Sequence, residues 1–297
     1  MTTPTEVFAR LSEGFSSGNW DELSALYAED TVVEQPQHPP VPIRVEGRET
    51  VHAHFTGPLA ASVRMRPHHV VVHETADPEV IVAEYRYSGE SLVTGKTFES
   101  ANIVVQRIRD GLIVTSRDYH DFLRLLAAQD TLPAMVKAAE AANASLVLPP
   151  IPPRPVSMAA PGSPRGVFER LVYGVSDGKW DELAELYAEE THVTHPFVPG
   201  APTLTTRDDL RGHFAAGATT GLKVEARDLV LHEGKDPEML FAEFDYQGTT
   251  ADGRPFRASN IFAMRIRDGL IVESRDYGDV FAIGAATGRL GELAERL

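Results

Sequence analysis

An acidic residue lies near the end of a β-branched stretch in each half of the chain. Asp118 follows the sequence LIVTSR, and Asp276 follows LIVESR. On a strand beside a cavity, burial would disfavour the charged carboxylate and raise its pKa toward neutrality, which suits general acid/base catalysis. The structural alternative is an ion pair, although strand neighbours point to opposite faces, so Arg117 and Arg275 are poorly placed to form it. We predict Asp118 and Asp276 as catalytic residues.

An earlier stretch carries two more charged positions, in AEYRY and its counterpart AEFDY. Glu84 and Arg86 are two residues apart, so a strand places both on one face, and we predict them as catalytic residues. Facing a cavity with Asp118, they could hold a water or an enolate between acid and base. Facing solvent, they would be an ordinary half-exposed strand face. Glu243 and Asp245 stand at the matching positions and are predicted to bind substrate.

Four polar residues on predicted strands are candidates for substrate binding. Asparagine is uncommon in strands, so its presence there indicates either a structural hydrogen bond or a contact with a ligand. We assign the following residues to substrate binding: Asn102, Asn260, Tyr87 and Tyr246.

The composition excludes several kinds of chemistry. The chain has 297 residues and no cysteine, which excludes disulfides, thiolate metal sites and a cysteine nucleophile. Its formal net charge of -15 disfavours binding to nucleic acid and to anionic membrane surfaces. The sequence also lacks a long apolar run and a basic segment followed by a signal-peptide core, so we expect a cytoplasmic protein.

No cofactor and no metal site are predicted from the motifs. His52 and His54 are two apart on a predicted helix, and His68 and His69 are adjacent on a predicted strand, so neither pair has the i, i+4 spacing of zinc-binding helices. Phosphate-binding and dinucleotide-binding fingerprints are also absent from the sequence. Hydride transfer and phosphoryl transfer therefore have no support in the sequence.

The chain is a tandem duplication. GNWDELSALYAED matches GKWDELAELYAEE at nine of thirteen positions, and RIRDGLIVTSRDYHD matches RIRDGLIVESRDYGD at thirteen of fifteen. The matches keep their order, which indicates one domain copied once rather than a solenoid. A proline-rich stretch between them favours an extended linker. We predict domains over residues 1–143 and 165–297, joined by a linker over residues 144–164.

Each copy changes from a helical to a strand pattern. Apolar residues at three- or four-residue spacing predict three amphipathic helices, the second of them around Leu23, Leu26 and Tyr27. Four β-branched stretches follow, and an Asp-Gly pair, Asp110-Gly111 in the first copy, predicts a tight hairpin between the last two. Thr206 and Asp209 resemble a capping box that opens the third helix of the second copy. The expected class is α+β.

The order of these motifs resembles the SnoaL-like branch of the NTF2-like (ketosteroid isomerase-like) superfamily. The resemblance is carried by W-D-x-L-x-x-L-Y-A-x-[DE], a strand reaching a proline, a helix ending in H-F, and R-D-G-L-I-V-x-S-R-D-Y-x-D. It implies two cone-shaped α+β barrels, each with three helices packed in a curved antiparallel sheet around an apolar pocket. It further implies pairing of the two copies as an internal pseudo-dimer, which could form further homo-oligomers.

The resemblance also implies pocket residues just before the proline, where the copies differ. The first copy offers Glu34 for substrate binding, and the second offers Thr194 for binding and His192 for catalysis. His38 and His195 would lie nearer the rim. A histidine within reach of Asp276 could act as a base, because its ordinary pKa is near 6.5, although a rim position without a catalytic role is the alternative.

Three functions follow from this resemblance. The first is a cofactor-independent cyclase or isomerase in natural-product biosynthesis. It would act by general acid/base catalysis on a small apolar molecule, a polyketide- or terpenoid-like metabolite. The second is an epoxide hydrolase or epoxide-opening cyclase, because the Arg-Asp-Tyr context resembles that of the strand aspartate in epoxide hydrolases. The third is a noncatalytic protein that sequesters a small molecule. The differences between the copies predict that their pockets are not equivalent.

Overall fold

The chain folds into two compact units. A computed structural model describes residues 2–297, apart from the side chains of residues 21 and 59. The first unit extends to Lys137 and the second begins at Ala138, so the boundary falls inside one helix, α6. The prediction placed the end of the first domain at residue 143, close to the end of that helix. Within the described part of the chain, no helix is long and apolar enough to cross a membrane.

The first unit consists of six helices and six strands. Its helices are α1 (Pro4–Ser17), α2 (Trp20–Leu23), α3 (Arg48–Phe55), α4 (Pro58–Ser62), α5 (Phe122–Ala128) and α6 (Leu132–Ala144). Its strands are β1 (Tyr27–Gln35), β2 (Ile43–Glu46), β3 (Val63–Glu74), β4 (Val80–Ser91), β5 (Thr97–Arg109) and β6 (Leu112–His120).

The second unit repeats this order after the proline-rich stretch. Its helices are α7 (Pro164–Ser176), α8 (Arg207–Ala218), α9 (Val280–Thr287) and α10 (Leu290–Ala294). Its strands are β7 (Tyr187–Thr194), β8 (Leu204–Thr206), β9 (Lys223–Glu233), β10 (Met239–Thr249), β11 (Pro255–Arg267) and β12 (Leu270–Tyr277).

Each unit contains one six-stranded sheet, ordered β2-β1-β6-β5-β4-β3 in the first and β8-β7-β12-β11-β10-β9 in the second. The pairings are antiparallel except that β1 runs parallel to β6, and β7 to β12. Register shifts interrupt β3 after His68 and β9 after Arg227. Such bulges bend a strand and increase its twist, so one face of each sheet becomes concave.

A helix packs its apolar side on the concave face of each sheet, α1 in the first unit and α7 in the second. Val7, Phe8 and Leu11 of α1 are buried in the core of the first unit, and Val167 and Phe168 of α7 are buried in the second. Their three- and four-residue spacing forms one apolar helix face, as the sequence predicts. The two hairpins predicted at Asp-Gly pairs are also present between β5 and β6 and between β11 and β12, with both turn residues at positive φ.

The second helix, predicted around Leu23, Leu26 and Tyr27, is only partly present. In the first unit α2 covers four residues, a 3₁₀ turn covers Ser24–Leu26, and β1 starts at Tyr27. In the second unit only a 3₁₀ turn, Leu183–Leu186, precedes the strand. The apolar residues that suggested helical spacing are buried all the same, because a short 3₁₀ turn also places residues three apart on one side.

The predicted capping box of α8 is confirmed. The Thr206 hydroxyl accepts from the backbone N–H of Asp209 at 3.1 Å, and the Asp209 carboxylate accepts from the backbone N–H of Thr206 at 2.9 Å. We expect Thr206→Ala to lower the free energy of unfolding by about 1 kcal/mol, because it leaves a helix N–H without its partner. Thr206→Ser retains the oxygen and is the control. Denaturant unfolding measures both, and equal stability of the two variants would contradict the role of the cap.

Candidate functional site

The first unit encloses a cavity of about 300 Å³ between its helices and the concave face of the sheet. Its wall is mostly apolar and aromatic, and the polar side chains come from a few strand positions. The aromatic lining residues are Phe8, Phe15, Trp20, Tyr27, Phe55, Tyr85, Tyr87, Phe98 and Phe122. The polar and ionisable lining residues include Gln35, His38, His54, Ser100, Asn102, Gln106, Asp118, His120 and Asp121.

Asp118 borders this cavity from β6, as the sequence predicts. Burial raises the pKa of its carboxyl to about 6, although a hydrogen bond from the Ser116 hydroxyl at 2.5 Å favours the charged form. The side-chain amide of Gln106 donates to the same hydroxyl at 3.2 Å. Arg117 instead pairs with Glu34 on the other face of the sheet. Asp118 can therefore exist as base or acid near neutral pH.

His120 lies on the same strand as Asp118, two residues further on. Its Nδ1 is 2.8 Å from the side-chain oxygen of Asn102, whose amide donates to the carbonyl of Ser100 at 3.3 Å. Burial lowers the pKa of His120 to about 4, and the nearby His54 and His38 contribute to the same shift. The ring is therefore neutral at pH 7. Because the Asn102 oxygen can only accept, Nδ1 carries the proton and Nε2 is the acceptor.

Two tyrosines of β4 complete the polar end of the cavity. The Tyr85 hydroxyl donates to the oxygen of Tyr87, and the two rings meet nearly at right angles with centroids 5.1 Å apart. Burial raises the pKa of both hydroxyls, and the carboxylate of Asp118 raises it further. Both remain protonated at neutral pH. The Tyr87 hydroxyl can thus donate to a ligand oxygen, in line with its predicted role in binding.

The second unit has a cavity of about 430 Å³ at the equivalent place. Asp276 lines it, accepts from the Ser274 hydroxyl, and has its pKa raised to about 6 by burial. His195 Nε2 lies 4.0 Å from the Asp276 carboxylate, and the His195 ring stacks on His213 at 5.0 Å between centroids. Burial lowers the pKa of both histidines. A neutral histidine beside an acid can accept a proton from water or substrate.

Two other residues predicted for the second cavity, Asn260 and Tyr246, also line it. The Asn260 amide donates to the carbonyl of Ala258 at 2.9 Å, as Asn102 does to its own strand. Tyr246 is protonated, because burial raises the pKa of its hydroxyl. The tyrosine is a candidate donor to a ligand, whereas the asparagine amide is already engaged within its strand.

The expectation that Glu84, Arg86, Glu243 and Asp245 face a cavity is wrong. The strand alternation places Tyr85 and Tyr87 in the first cavity, so the residues between and before them point to the opposite face. There Glu84 contacts His73 at 2.9 Å, and Glu243 contacts His232 at 2.9 Å. Arg86 is exposed, and Asp245 pairs with Arg257. Spacing alone identified residues that share a face, but not which face is concave.

The residues predicted just before the proline do not line the cavities either. The prediction is out by one position along the strand. Glu34 forms an ion pair with Arg44 at 2.6 Å, while its neighbours Val33 and Gln35 line the cavity. In the second unit Val193 and His195 line the cavity, so Thr194 and the exposed His192 do not. The predicted role of a histidine beside Asp276 thus passes from His192 to His195.

Among the cavity residues that were not predicted from the sequence are His120, Gln106 and His213. The alternation of side chains carried the signal for the first two. Residues two apart from Asp118 on β6 share its face, and so do the residues of β5 that pair with that face. His120 has Gly278 as its counterpart, and Gln106 has Met264, so the two cavities differ chemically. Among the described residues, no group of three or more His, Asp or Glu side chains is arranged to hold a metal ion.

The family model for the SnoaL-like domain matches the chain twice, at residues 8–116 and 168–274. The chain belongs to the SnoaL-like family. An uncharacterized PhzA/B-like protein of Pseudomonas aeruginosa is 33% identical over 141 residues, which cover 45% of this chain and 92% of that protein. Asp118 and Asp276 lie on the closing strands, each just beyond the end of a matched segment.

Two solved structures are similar to parts of this SnoaL-like protein. A Bacillus subtilis protein named as a candidate isomerase is 24% identical and covers 43% of this chain and 92% of its own, with a TM-score of 0.41. An NTF2-like protein of Burkholderia xenovorans is 21% identical and covers 43% of this chain and 98% of its own, with a TM-score of 0.36. With two family-model matches and two six-stranded sheets, the protein consists of two SnoaL-like α+β domains in tandem.

Proposed function

We propose that this SnoaL-like protein is an enzyme that uses Asp118 and Asp276 as general acid/base groups on a small, mainly apolar metabolite. The observation that supports it is a carboxyl with a pKa near 6 that borders an apolar cavity in each domain. A group with that pKa can both take and return a proton at neutral pH. The reaction class is that of a cyclase or isomerase, and no cofactor is needed for it.

The arrangement in the first domain fits proton transfer beside a carbonyl. The Asp118 carboxylate would remove a proton from the carbon next to a ketone, while the Tyr87 hydroxyl donates to the enolate oxygen. The protonated Asp118 would return that proton to another carbon, which isomerises the substrate. In a cyclisation, the enolate carbon would instead attack a second carbonyl, and the new alkoxide would take the proton.

The second domain also supports a second candidate function, the opening of an epoxide. His195 and Asp276 are 4.0 Å apart, and a water held between them could lose a proton to the histidine and attack an epoxide carbon. The protonated Asp276 carboxyl would donate its proton to the epoxide oxygen as the ring opens, and the proton taken up by His195 would then restore it. Hydrolysis would place an oxygen from water in the product, whereas proton transfer in the first domain would not.

Isotope exchange tests the proposed function even while the natural substrate is unidentified. Native mass spectrometry first identifies molecules that co-purify with the protein, and related ketones and epoxides are then incubated with it in D₂O or in H₂¹⁸O. We expect deuterium at a carbon beside a carbonyl. Incorporation of ¹⁸O would support epoxide hydrolysis instead. Tight binding without exchange or product would contradict catalysis and favour a sequestering protein.

The duplication and the family resemblance support four further proposals about this protein. They are the pairing of the two domains as an internal pseudo-dimer, further self-association, a cytoplasmic location and a place in natural-product biosynthesis. The linker over residues 144–164 is a further proposal. It spans the stretch between helices α6 and α7.

A further inference from the structure

The polar end of the first cavity carries a negative charge at Asp118. Among the lining residues that the structure describes, none is a lysine or an arginine. Burial lowers the pKa of His38, His54 and His120, so these rings are neutral at pH 7. The second acid of the wall, Asp121, is paired with Arg124. The charge of an ionised Asp118 therefore has no cationic side chain to balance it within the described wall.

Gln106 adds an acceptor without a donor. This residue is 2% exposed and lines the cavity, and its amide nitrogen donates to Ser116. Its side-chain oxygen is buried and has no hydrogen-bond partner among the described residues. A buried carbonyl oxygen without a donor is unfavourable, because it has lost water and gained nothing in return. An N–H or O–H group of a ligand could offset that cost after a small rotation of the amide.

Aromatic rings form much of the wall of the same cavity. Phe15 lies edge-on to Trp20, Phe55 and Tyr87, with centroids 5.2, 5.7 and 6.0 Å apart, so rings in nearly perpendicular planes meet at one place. Tyr27 joins the group at 5.8 Å from Phe55. Perpendicular aromatic walls beside a carboxylate are the arrangement that binds substituted ammonium groups, because the ring faces carry partial negative charge.

We propose that the cavity of the first domain binds a small molecule with a protonated tertiary amine, whose N–H group is held by Asp118 and Gln106 and whose alkyl groups contact the aromatic walls. The proposal goes beyond the proposed function, because in the amine complex Asp118 holds the ligand by its charge and is not at the same time the base that removes a proton from carbon. The net charge of -15 also favours the approach of a cation.

The second domain is a natural comparison within the same chain. Val175 replaces Phe15 and Met264 replaces Gln106, so one aromatic wall and the buried acceptor are missing. Its cavity wall also includes Arg289 and Arg296, which disfavour a cation. The same ligand should therefore bind the second cavity more weakly.

The two tryptophans report on the two cavities separately. The chain contains two tryptophans, Trp20 in the first cavity wall and Trp180 in the second. In the Trp180→Phe protein, we expect 2-(dimethylamino)ethanol at pH 7 to change Trp20 fluorescence saturably. Its neutral isostere, 3-methylbutan-1-ol, should bind at least tenfold more weakly. Choline, which has the charge but no N–H, should fall between them.

Variants in the Trp180→Phe background assign the effect. Asp118→Asn should weaken amine binding at least tenfold and leave the alcohol within twofold, whereas Asp276→Asn should change neither. Gln106→Met copies the second domain and should weaken the amine severalfold, with choline unchanged. Circular dichroism establishes that each variant is folded. If Gln106→Met does not fold, Phe15→Val, which removes one wall, takes its place and should weaken the amine and choline alike.

Equal affinity for the amine and the alcohol would overturn the proposal, as would an equal response of Trp180 in the Trp20→Phe protein. These outcomes are independent of turnover, since they measure binding at equilibrium. Loss of isotope exchange in Asp118→Asn together with equal binding of the amine and the alcohol would support the proposed function and refute the amine. The reverse pattern, selective amine binding without exchange in the wild-type protein, would support the amine and refute catalysis.

Discussion

Asp118→Asn and Asp276→Asn together should lower the rate of isotope exchange by about 10²–10⁴-fold, the usual contribution of a positioned acid or base. The amide retains the shape of the carboxyl and its hydrogen bond from Ser116 or Ser274, but it cannot take a proton at neutral pH. The loss should therefore appear in the rate rather than in ligand binding, unless the ligand is a cation. Mass spectrometry of substrate recovered from D₂O measures the rate.

The single variants show which cavity is active. Because His120 occurs only in the first cavity, and the His195–His213 stack only in the second, we expect one single variant to lose nearly all activity and the other to retain it. Glu90→Gln makes the same chemical change in a strand side chain that is 45% exposed, and this control should have the wild-type rate. Loss of about half the activity in each single variant would contradict the inequivalence of the copies.

The duplication made the fold predictable from one sequence. Two copies of the same pattern show which positions keep their residue type and which do not. The Asp-Gly hairpins also fix the register of the closing strands. Asp118 was predictable for the same reason, because an acid recurs among β-branched residues in both copies. The second helix was not, since the spacing of Leu23 and Leu26 fits an α-helix and a 3₁₀ turn equally well.

The choice of the concave face was beyond the sequence. Glu84 and Tyr85 are adjacent on β4, and both are buried, so neither polarity nor burial distinguishes the two faces of this strand. Which face becomes concave depends on bulges such as the one after His68, and on the helix that packs there. The same ambiguity between the two faces led to the choice of His192, whereas Val193 and His195 line the cavity. A strand error of one position moves every side chain to the other face.

The two acids should also make the protein less stable at neutral pH than in mild acid. The pKa of each is raised by burial to about 6 in the folded protein, against an ordinary value near 4 in the unfolded chain. Between these values the folded state binds more protons than the unfolded state, so stability falls as the pH rises from about 4 to 6. The difference corresponds to up to about 3 kcal/mol for each acid.

Asp118→Asn should consequently stabilise the first domain at pH 8 by up to about 3 kcal/mol and change it little at pH 4. Urea unfolding of the Trp180→Phe protein, followed by Trp20 fluorescence, measures this domain, and Asp276→Asn in the Trp20→Phe protein is the matched test for the second. If the charge of Asp118 stabilised the fold, the sign would be opposite. The variant would then be less stable than the wild-type domain at pH 8. A gain in stability together with a loss of exchange would identify Asp118 as a group whose burial serves catalysis at the expense of stability.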